Sequence, residues 1–133
     1  MQRAGGCRCG AVRFTTDGEA LHVTFCHCRD CQRSSGAPMV AWAGFVEAQF
    51  AVVQGEARTI NLSGEAFRSF CADCGTGLWY RNEAVLPGLV DVQVATFDAP
   101  ETLPPIAHIQ TAERLSWMAT AHMLPDFERY PPA

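Results

Sequence analysis

The sequence predicts a mainly β fold with little helix. Short stretches that alternate apolar and polar residues dominate the chain, and Gly, Pro, Asn and Asp separate them. No stretch shows the sustained apolar period of a long helix. With 133 residues, of which 48% are hydrophobic and 18% charged, the chain is long enough to bury a core of its own.

The expected elements follow from this alternation in chain order. Six segments share it and are the expected strands: 11–16, 21–25, 49–55, 57–63, 76–81 and 88–97. In the first of them, Val12 and Phe14 alternate with polar neighbours. Between the second and third strands, the residues after Cys28 allow a helix of only one or two turns.

The whole chain, residues 1–133, is expected to form one domain with a core at about 3–124 and a C-terminal extension at 125–133. The extension is rich in proline, so we expect it to run over the surface. The three large indole side chains, Trp42, Trp79 and Trp117, are expected in the core.

Charge and hydropathy exclude two classes of partner. The net charge is −4, and the ten basic residues are arginines spread along the chain, so no concentrated basic surface is expected for a nucleic acid. No apolar stretch approaches the ~20 residues needed to span a bilayer, and the N-terminus has no apolar leader. These features predict a cytoplasmic protein with reduced cysteines, which favours metal binding over disulfides.

Four of the seven cysteines form two groups that share a following glycine: Cys7 and Cys9 before Gly10, and Cys71 and Cys74 before Gly75. A tight turn that presents two thiolates to a metal often needs a positive φ just after the second ligand, which glycine adopts without strain. Four thiolates complete a tetrahedral zinc site of the structural kind. The two groups therefore predict one closed zinc site.

The other three cysteines, Cys26, Cys28 and Cys31, form a second group. Cys26 and Cys28 share one face at the end of an expected strand, and a turn brings Cys31 to the same metal. Three thiolates leave one position of a tetrahedral zinc ion free for water or a substrate, which is typical of a catalytic site. His27 lies between two of these cysteines and alternation directs it to the opposite side, so we expect it not to be a ligand.

Spacing alone leaves a different pairing open. Cys28 and Cys31 could instead combine with Cys71 and Cys74 as a CxxC…CxxC zinc ribbon. The segment after Cys31 lacks the glycine that follows both other groups, which argues against the ribbon.

Several residues near the three cysteines are candidate substrate contacts. Arg29 and Arg33 flank the group and could meet an anionic substrate. Ser35 and Gly36 lie in an expected Ser-Gly-Pro loop at 34–38 that could present backbone amides to a ligand.

The order of the motifs resembles the glutathione-dependent formaldehyde-activating enzyme family. From the N-terminus, the motifs are CxCG, CHCxxC with SSGAP, FCxxCGT with LWYR, and VDVQVATFD before HI and an isolated Trp. The resemblance covers nearly the whole chain and implies an Mss4-like fold, in which twisted antiparallel sheets surround zinc. It implies that Cys7, Cys9, Cys71 and Cys74 bind a structural zinc ion and that Cys26, Cys28 and Cys31 bind a catalytic one.

The resemblance also implies a carbon-sulfur lyase activity, in which a small thiol such as glutathione adds to formaldehyde. Two other functions use the same residues: a non-catalytic zinc module that binds proteins, and a thiol-based redox or metal switch. An open three-thiolate site favours the enzyme, because a binding module does not need one.

Overall fold

The computed structural model describes residues 1–132 and confirms the mainly β class. The strands are β1 (Gln2–Gly6), β2 (Arg13–Asp17), β3 (His22–Cys26), β4 (Val40–Val46), β5 (Phe50–Gln54), β6 (Arg58–Ser63), β7 (Ala66–Phe70), β8 (Gly77–Asn82), β9 (Leu89–Gln93) and β10 (Ala107–Ile109). The α-helix α1 spans Arg29–Ser35. Short 3₁₀ helices occupy Glu47–Gln49, Val94–Thr96, Pro100–Thr102, Thr111–Glu113 and Ser116–Met123.

The strands form two sheets. A three-stranded sheet has the order β1-β2-β5, and a seven-stranded sheet has the order β10-β3-β4-β9-β8-β7-β6. The pairs are antiparallel, as expected, except that β10 runs parallel to β3. In the part of the chain that the structure describes, none of the helices is long and apolar enough to cross a membrane.

The six expected strands correspond to β2, β3, β5, β6, β8 and β9, and the short helix corresponds to α1. Cys28 is the N-cap of α1, and its sulfur accepts a hydrogen bond from the Cys31 amide. Gly36 ends the helix with a φ of 69°, a left-handed conformation that suits glycine. β1, β4, β7 and β10 were not expected from the sequence.

The two faces of the seven-stranded sheet have different roles. Side chains of one face, including Phe45 of β4 and Val92 of β9, join Phe14 of the smaller sheet in the main core. Residues of the opposite face alternate with them and include Trp42, which packs beside Cys26 and Cys31. The main core therefore holds the sheets together, while the opposite face is available to a site.

The expectation for the tryptophans is only partly right. Trp79 is buried in the main core and Trp42 is buried on the opposite face. Trp117 is 59% exposed, so its assignment to the core was wrong. It lies in Ser116–Met123, a 3₁₀ helix with no buried residue.

Candidate functional site

Four cysteines from two distant loops meet in one cluster. Cys7 and Cys9 follow β1, and Cys71 and Cys74 lie between β7 and β8. Their four Sγ atoms lie within 4.8 Å of one another and could hold a metal ion. The Cys7 and Cys9 sulfurs are 3.6 Å apart, and those of Cys9 and Cys71 are 3.8 Å apart. We call this set the four-cysteine cluster.

The glycine after each pair has the conformation that its turn requires. Gly10 has a φ of 83° and donates its amide to the Cys7 carbonyl at 3.1 Å. Gly75 has a φ of 80° and donates to the Cys71 carbonyl at 2.8 Å. Both values lie in the left-handed region that favours glycine. The expectation that these glycines shape two matching turns is confirmed.

Neighbouring donors stabilise thiolates in this cluster. The Val12 amide donates to the Cys7 sulfur at 3.3 Å. The Thr76 hydroxyl oxygen lies 3.2 Å from the Cys74 sulfur and accepts a hydrogen bond from the Arg8 amide at 3.1 Å. Hydrogen bonds from the Thr76 side chain and backbone lower the pKa of Cys74 to about 5. The donor set thus suits a metal that prefers thiolates.

The other three cysteines form the cysteine trio, Cys26, Cys28 and Cys31. They come from the end of β3, the N-cap of α1 and the first turn of α1, and their Sγ atoms lie within 4.8 Å of one another. Cys26 and Cys31 are buried, and Cys28 is partly exposed. The structure therefore does not bring together the four cysteines of the alternative zinc ribbon.

The trio holds one of its sulfurs as a thiolate. The Cys26 thiol, with further help from Arg68, lowers the pKa of Cys31 to about 5, although burial opposes this. The same interaction with Cys31 raises the pKa of Cys26. The pKa values of these close sulfurs therefore differ, and a bound cation would relieve the repulsion between their thiolates.

Arg68 of β7 contacts the trio and was not identified from the sequence. Its Nη2 lies 2.6 Å from Asp30 Oδ2 and 3.6 Å from Cys31 Sγ. The guanidinium lies 4.9 Å from the centre of the Tyr80 ring and 5.9 Å from that of Trp42. Its side chain is only 12% exposed. Arg68 is one of ten arginines in the sequence, and only the pairing of β7 with β8 shows that it lies on the face of the trio.

His27 lies outside the trio, on the other side of β3. It is buried, and its Nε2 is 2.8 Å from Nδ1 of His108. Burial, followed by the nearby charges of Arg114 and His108, lowers the pKa of His27. The group of sulfur atoms that could hold a metal does not include a nitrogen of His27.

The trio lies in the wall of a cavity of about 520 Å³, which we call the trio cavity. Its lining comprises His22, Thr24, Cys26, Cys28, Asp30, Cys31, Trp42, Arg68, Tyr80, Val85, Leu86, Asp91, Ile109 and Gln110. A neighbouring groove of about 600 Å³ shares Trp42 and Arg68 with it. The volume of the trio cavity is in the range typical of small-molecule sites.

The candidate substrate contacts are divided between two places. Ser35 lines the neighbouring groove, but its hydroxyl donates to the Cys31 carbonyl at 2.7 Å. Arg29, Arg33 and Gly36 line a separate depression beside Trp117. The structure therefore does not gather these four residues around the cysteine trio.

Comparison with known proteins agrees with this architecture. A protein of Halomonas elongata, named "Putative glutathione-dependent formaldehyde-activating enzyme", is 27% identical over 127 residues, which cover 89% of this chain and 80% of that protein. A crystal structure of a Rhodobacter sphaeroides protein matches with a TM-score of 0.64 and 24% identity, covering 79% of this chain and 98% of that one, and supports the fold. The profile of one family matches residues 2–113. The chain therefore belongs to the glutathione-dependent formaldehyde-activating enzyme family.

Proposed function

We propose that the protein is a zinc-dependent carbon-sulfur lyase that adds a small thiol such as glutathione to an aldehyde, or catalyses the reverse. The observation that carries this proposal is a set of three cysteines in the wall of a cavity of about 520 Å³. Membership of the family supports an enzyme of this type. The Halomonas relative carries glutathione and formaldehyde in its name.

Both cysteine clusters fit zinc, and we propose two zinc ions per chain. Cys7, Cys9, Cys71 and Cys74 would bind a structural ion, and Cys26, Cys28 and Cys31 a catalytic one. The crowding of each set within 4.8 Å and the low pKa of Cys31 and Cys74, about 5, suit a cation that binds thiolates. Zinc at the trio would supply a free position where the pKa of a bound thiol is lowered.

The proposed reaction balances without an oxidant or a reductant. A bond forms between the thiol sulfur and the aldehyde carbon, the π bond of the carbonyl breaks, and the thiol proton ends on the new hydroxyl oxygen. The walls formed by Trp42 and Tyr80 would hold the two reactants together and exclude water. Arg68 would hold the Cys31 thiolate in place, since it contacts that sulfur and is itself fixed by Asp30.

Arg29, Arg33, Ser35 and Gly36 stay predicted substrate contacts. Ser35 would contact a substrate that extends from the trio cavity into the neighbouring groove. Arg29, Arg33 and Gly36 would do so only for a substrate that passes over α1 to the separate depression.

We also propose that the chain acts in the cytoplasm as one domain, with residues 125–133 as an extension of a core at about 3–124. Seven free cysteines suit a reducing compartment. The family profile ends at residue 113, before the proposed extension.

The test is the rate at which the purified, zinc-loaded protein equilibrates glutathione, formaldehyde and S-hydroxymethylglutathione, measured by exchange NMR against the uncatalysed rate. Cys28→Ser should abolish the acceleration, whereas the control His122→Gln, at an exposed position, should retain it. Acceleration that survives Cys28→Ser would contradict the proposal. A fully metal-loaded protein without acceleration for any small thiol would instead favour the binding module.

A further inference from the structure

A row of five side-chain positions crosses the seven-stranded sheet on the face of the trio cavity. His22 pairs with Gly44, Gly44 with Asp91, Asp91 with Tyr80, and Tyr80 with Arg68. Residues directly opposite one another on neighbouring strands share a face, so these five positions line one surface. Arg68, at one end of the row, reaches the trio, whereas His22 is at the other end and Asp91 is in the middle.

The absence of a side chain at Gly44 lets His22 reach across β4. A Cβ atom at Gly44 would lie 2.1 Å from Cε1 of His22 and 2.4 Å from its Nε2, so any other residue would displace the ring. The ring instead crosses the intervening strand, and its Nε2 lies 2.8 Å from Asp91 Oδ1. The orientation of His22 is therefore fixed by two strands besides its own.

Of this pair, His22 is the partner that a ligand can reach. Its side chain is 30% exposed, whereas that of Asp91 is 12% exposed. Because Asp91 accepts a hydrogen bond from Nε2, the ring nitrogen left for a ligand is Nδ1, which makes no hydrogen bond within residues 1–132.

The charge of the cavity makes His22 the group suited to an anion. Within the described residues that line the cavity, the basic side chains are Arg68 and His22. Arg68 is already engaged by Asp30 and Cys31. The hydrogen bond to Asp91 raises the pKa of His22, although burial opposes this, so the protonated ring can donate from Nδ1.

The spacing along β3 limits what His22 can do. It lies four residues from Cys26, or roughly 13 Å along an extended strand. This is far beyond the reach needed to take a proton from a thiol at the trio. It suits the remote end of a thiol of peptide length. Thr24 lies midway on the same face, lines the cavity and has a hydroxyl without a partner within residues 1–132.

We propose that His22, held by Asp91 across Gly44, is a specificity-determining residue that binds a carboxylate of a peptide-length thiol whose sulfur lies at the trio. This inference rests on the proposed function, because the trio is taken as the place of the reacting sulfur. It predicts discrimination against short thiols, which cannot span from the trio to His22.

A binding experiment separates this inference from the proposed function. S-methylglutathione cannot react, and its affinity for the zinc-loaded protein is measured by isothermal titration calorimetry. His22→Gln keeps a donor near Asp91 but removes the positive charge, and should weaken binding about 10-fold or more, as for loss of a charge-assisted hydrogen bond. The control His122→Gln should leave the affinity unchanged.

The dimethyl ester of the same ligand completes the comparison. Because its carboxylates are blocked, it should bind the wild type weakly and His22→Gln equally weakly. Equal affinity of wild type and His22→Gln for S-methylglutathione would overturn the inference, as would failure of the wild type to bind it. Binding that depends on His22 in a protein without lyase activity would support the inference and refute the proposed function.

The kinetic counterpart uses two thiols of different length. His22→Gln should raise KM for glutathione about 10-fold or more and leave kcat/KM for 2-mercaptoethanol unchanged, since the short thiol does not reach position 22. An equal loss with both thiols would show a general structural role and overturn the inference. Lyase activity that persists with the same KM for glutathione would overturn the inference alone.

The pH dependence gives a further check. Affinity for S-methylglutathione should be highest below the pKa of His22 and fall as pH rises through it, because the neutral ring no longer donates from Nδ1. Asp91→Asn should move this fall to lower pH, since it removes the cause of the raised pKa. The other titratable side chains of the cavity are Asp30, Arg68, Tyr80 and the trio, so an unchanged midpoint in Asp91→Asn would assign the titration to one of them and overturn the inference.

Discussion

The two cysteine clusters differ in how much of the fold they join. The four-cysteine cluster connects the loop after β1, in the smaller sheet, to the loop between β7 and β8, in the larger sheet. Its Cys9 and Cys71 are 62 residues apart in the chain. The trio lies within residues 26–31 and joins only the end of β3 to the start of α1. A metal in the first cluster closes a long loop, whereas a metal in the second closes almost none.

The clusters also differ in their surroundings. In the first, the Val12 amide donates to the Cys7 sulfur and the Thr76 hydroxyl contacts the Cys74 sulfur. In the second, the Cys31 amide donates to the Cys28 sulfur, the guanidinium of Arg68 contacts the Cys31 sulfur, and the set borders a cavity. Together these differences predict that the stability of the fold depends on the first cluster and enzymatic activity on the second.

The largest expected effect is that of Cys7→Ser on folding. A structural zinc ion contributes about 10 kcal/mol or more in small zinc domains, which is comparable to the ~5–15 kcal/mol that stabilises a whole domain. Cys7→Ser should therefore abolish the cooperative thermal transition measured by circular dichroism. Cys28→Ser should keep that transition near the wild-type temperature and lose activity. Equal loss of folding in both variants would remove the distinction between the clusters.

The next effect concerns the order in which chelators remove metal. We expect two zinc ions per chain. Although Cys9 and Cys74 are exposed, the ion of the trio should leave first, because it would have three protein ligands instead of four. Zinc release is followed with a colorimetric chelator while circular dichroism reports folding. The first ion should leave with activity lost and the fold retained. Simultaneous release of both ions with unfolding would contradict the comparison.

Alternation in the sequence predicted strands of different burial. β2 has alternate residues buried, whereas β6 alternates apolar and polar residues although all six of its residues are exposed. β4 is buried along most of its length on both faces, so its sequence AWAGFV is a continuous apolar run without alternation. β10 has three residues and forms only by pairing with β3, so its local sequence carries little signal. The sequence therefore did not predict β4 and β10, because their burial and pairing are defined only by the tertiary structure.

The same limit applies to the site. The cysteine groupings were predicted because spacing and a following glycine are local properties of the chain. Arg68 was missed because its contact with Cys31 depends on the register of β7 against β8. The contact between His22 and Asp91 depends on three adjacent strands and on the absence of a side chain at Gly44.

Arg68→Met should reduce activity with little loss of stability. The methionine keeps apolar contacts with Trp42 and Tyr80 but removes the charge-assisted contact with Cys31. We expect kcat/KM to fall about 10- to 100-fold, as for loss of one hydrogen bond to a charged group. The matched control is Arg58→Met on the neighbouring strand β6, where the arginine is exposed and should be dispensable. Equal activity of the two variants would show that Arg68 does not serve the trio.

The smallest expected effect is that of Thr76→Val, which is the counterpart of Arg68→Met in the four-cysteine cluster. The substitution keeps the shape of the side chain but removes the oxygen that contacts Cys74 and accepts from the Arg8 amide. Both lost hydrogen bonds are exposed to solvent, so together they should correspond to about 1 kcal/mol and a fall in Tm of about 3 °C in a chain of this size. The activity of the zinc-loaded variant should equal that of the wild type, because the cysteine trio draws none of its hydrogen bonds from Thr76. A loss of activity at unchanged Tm would mean that the two clusters are coupled, and the division between a stabilising and a reactive centre would then fail.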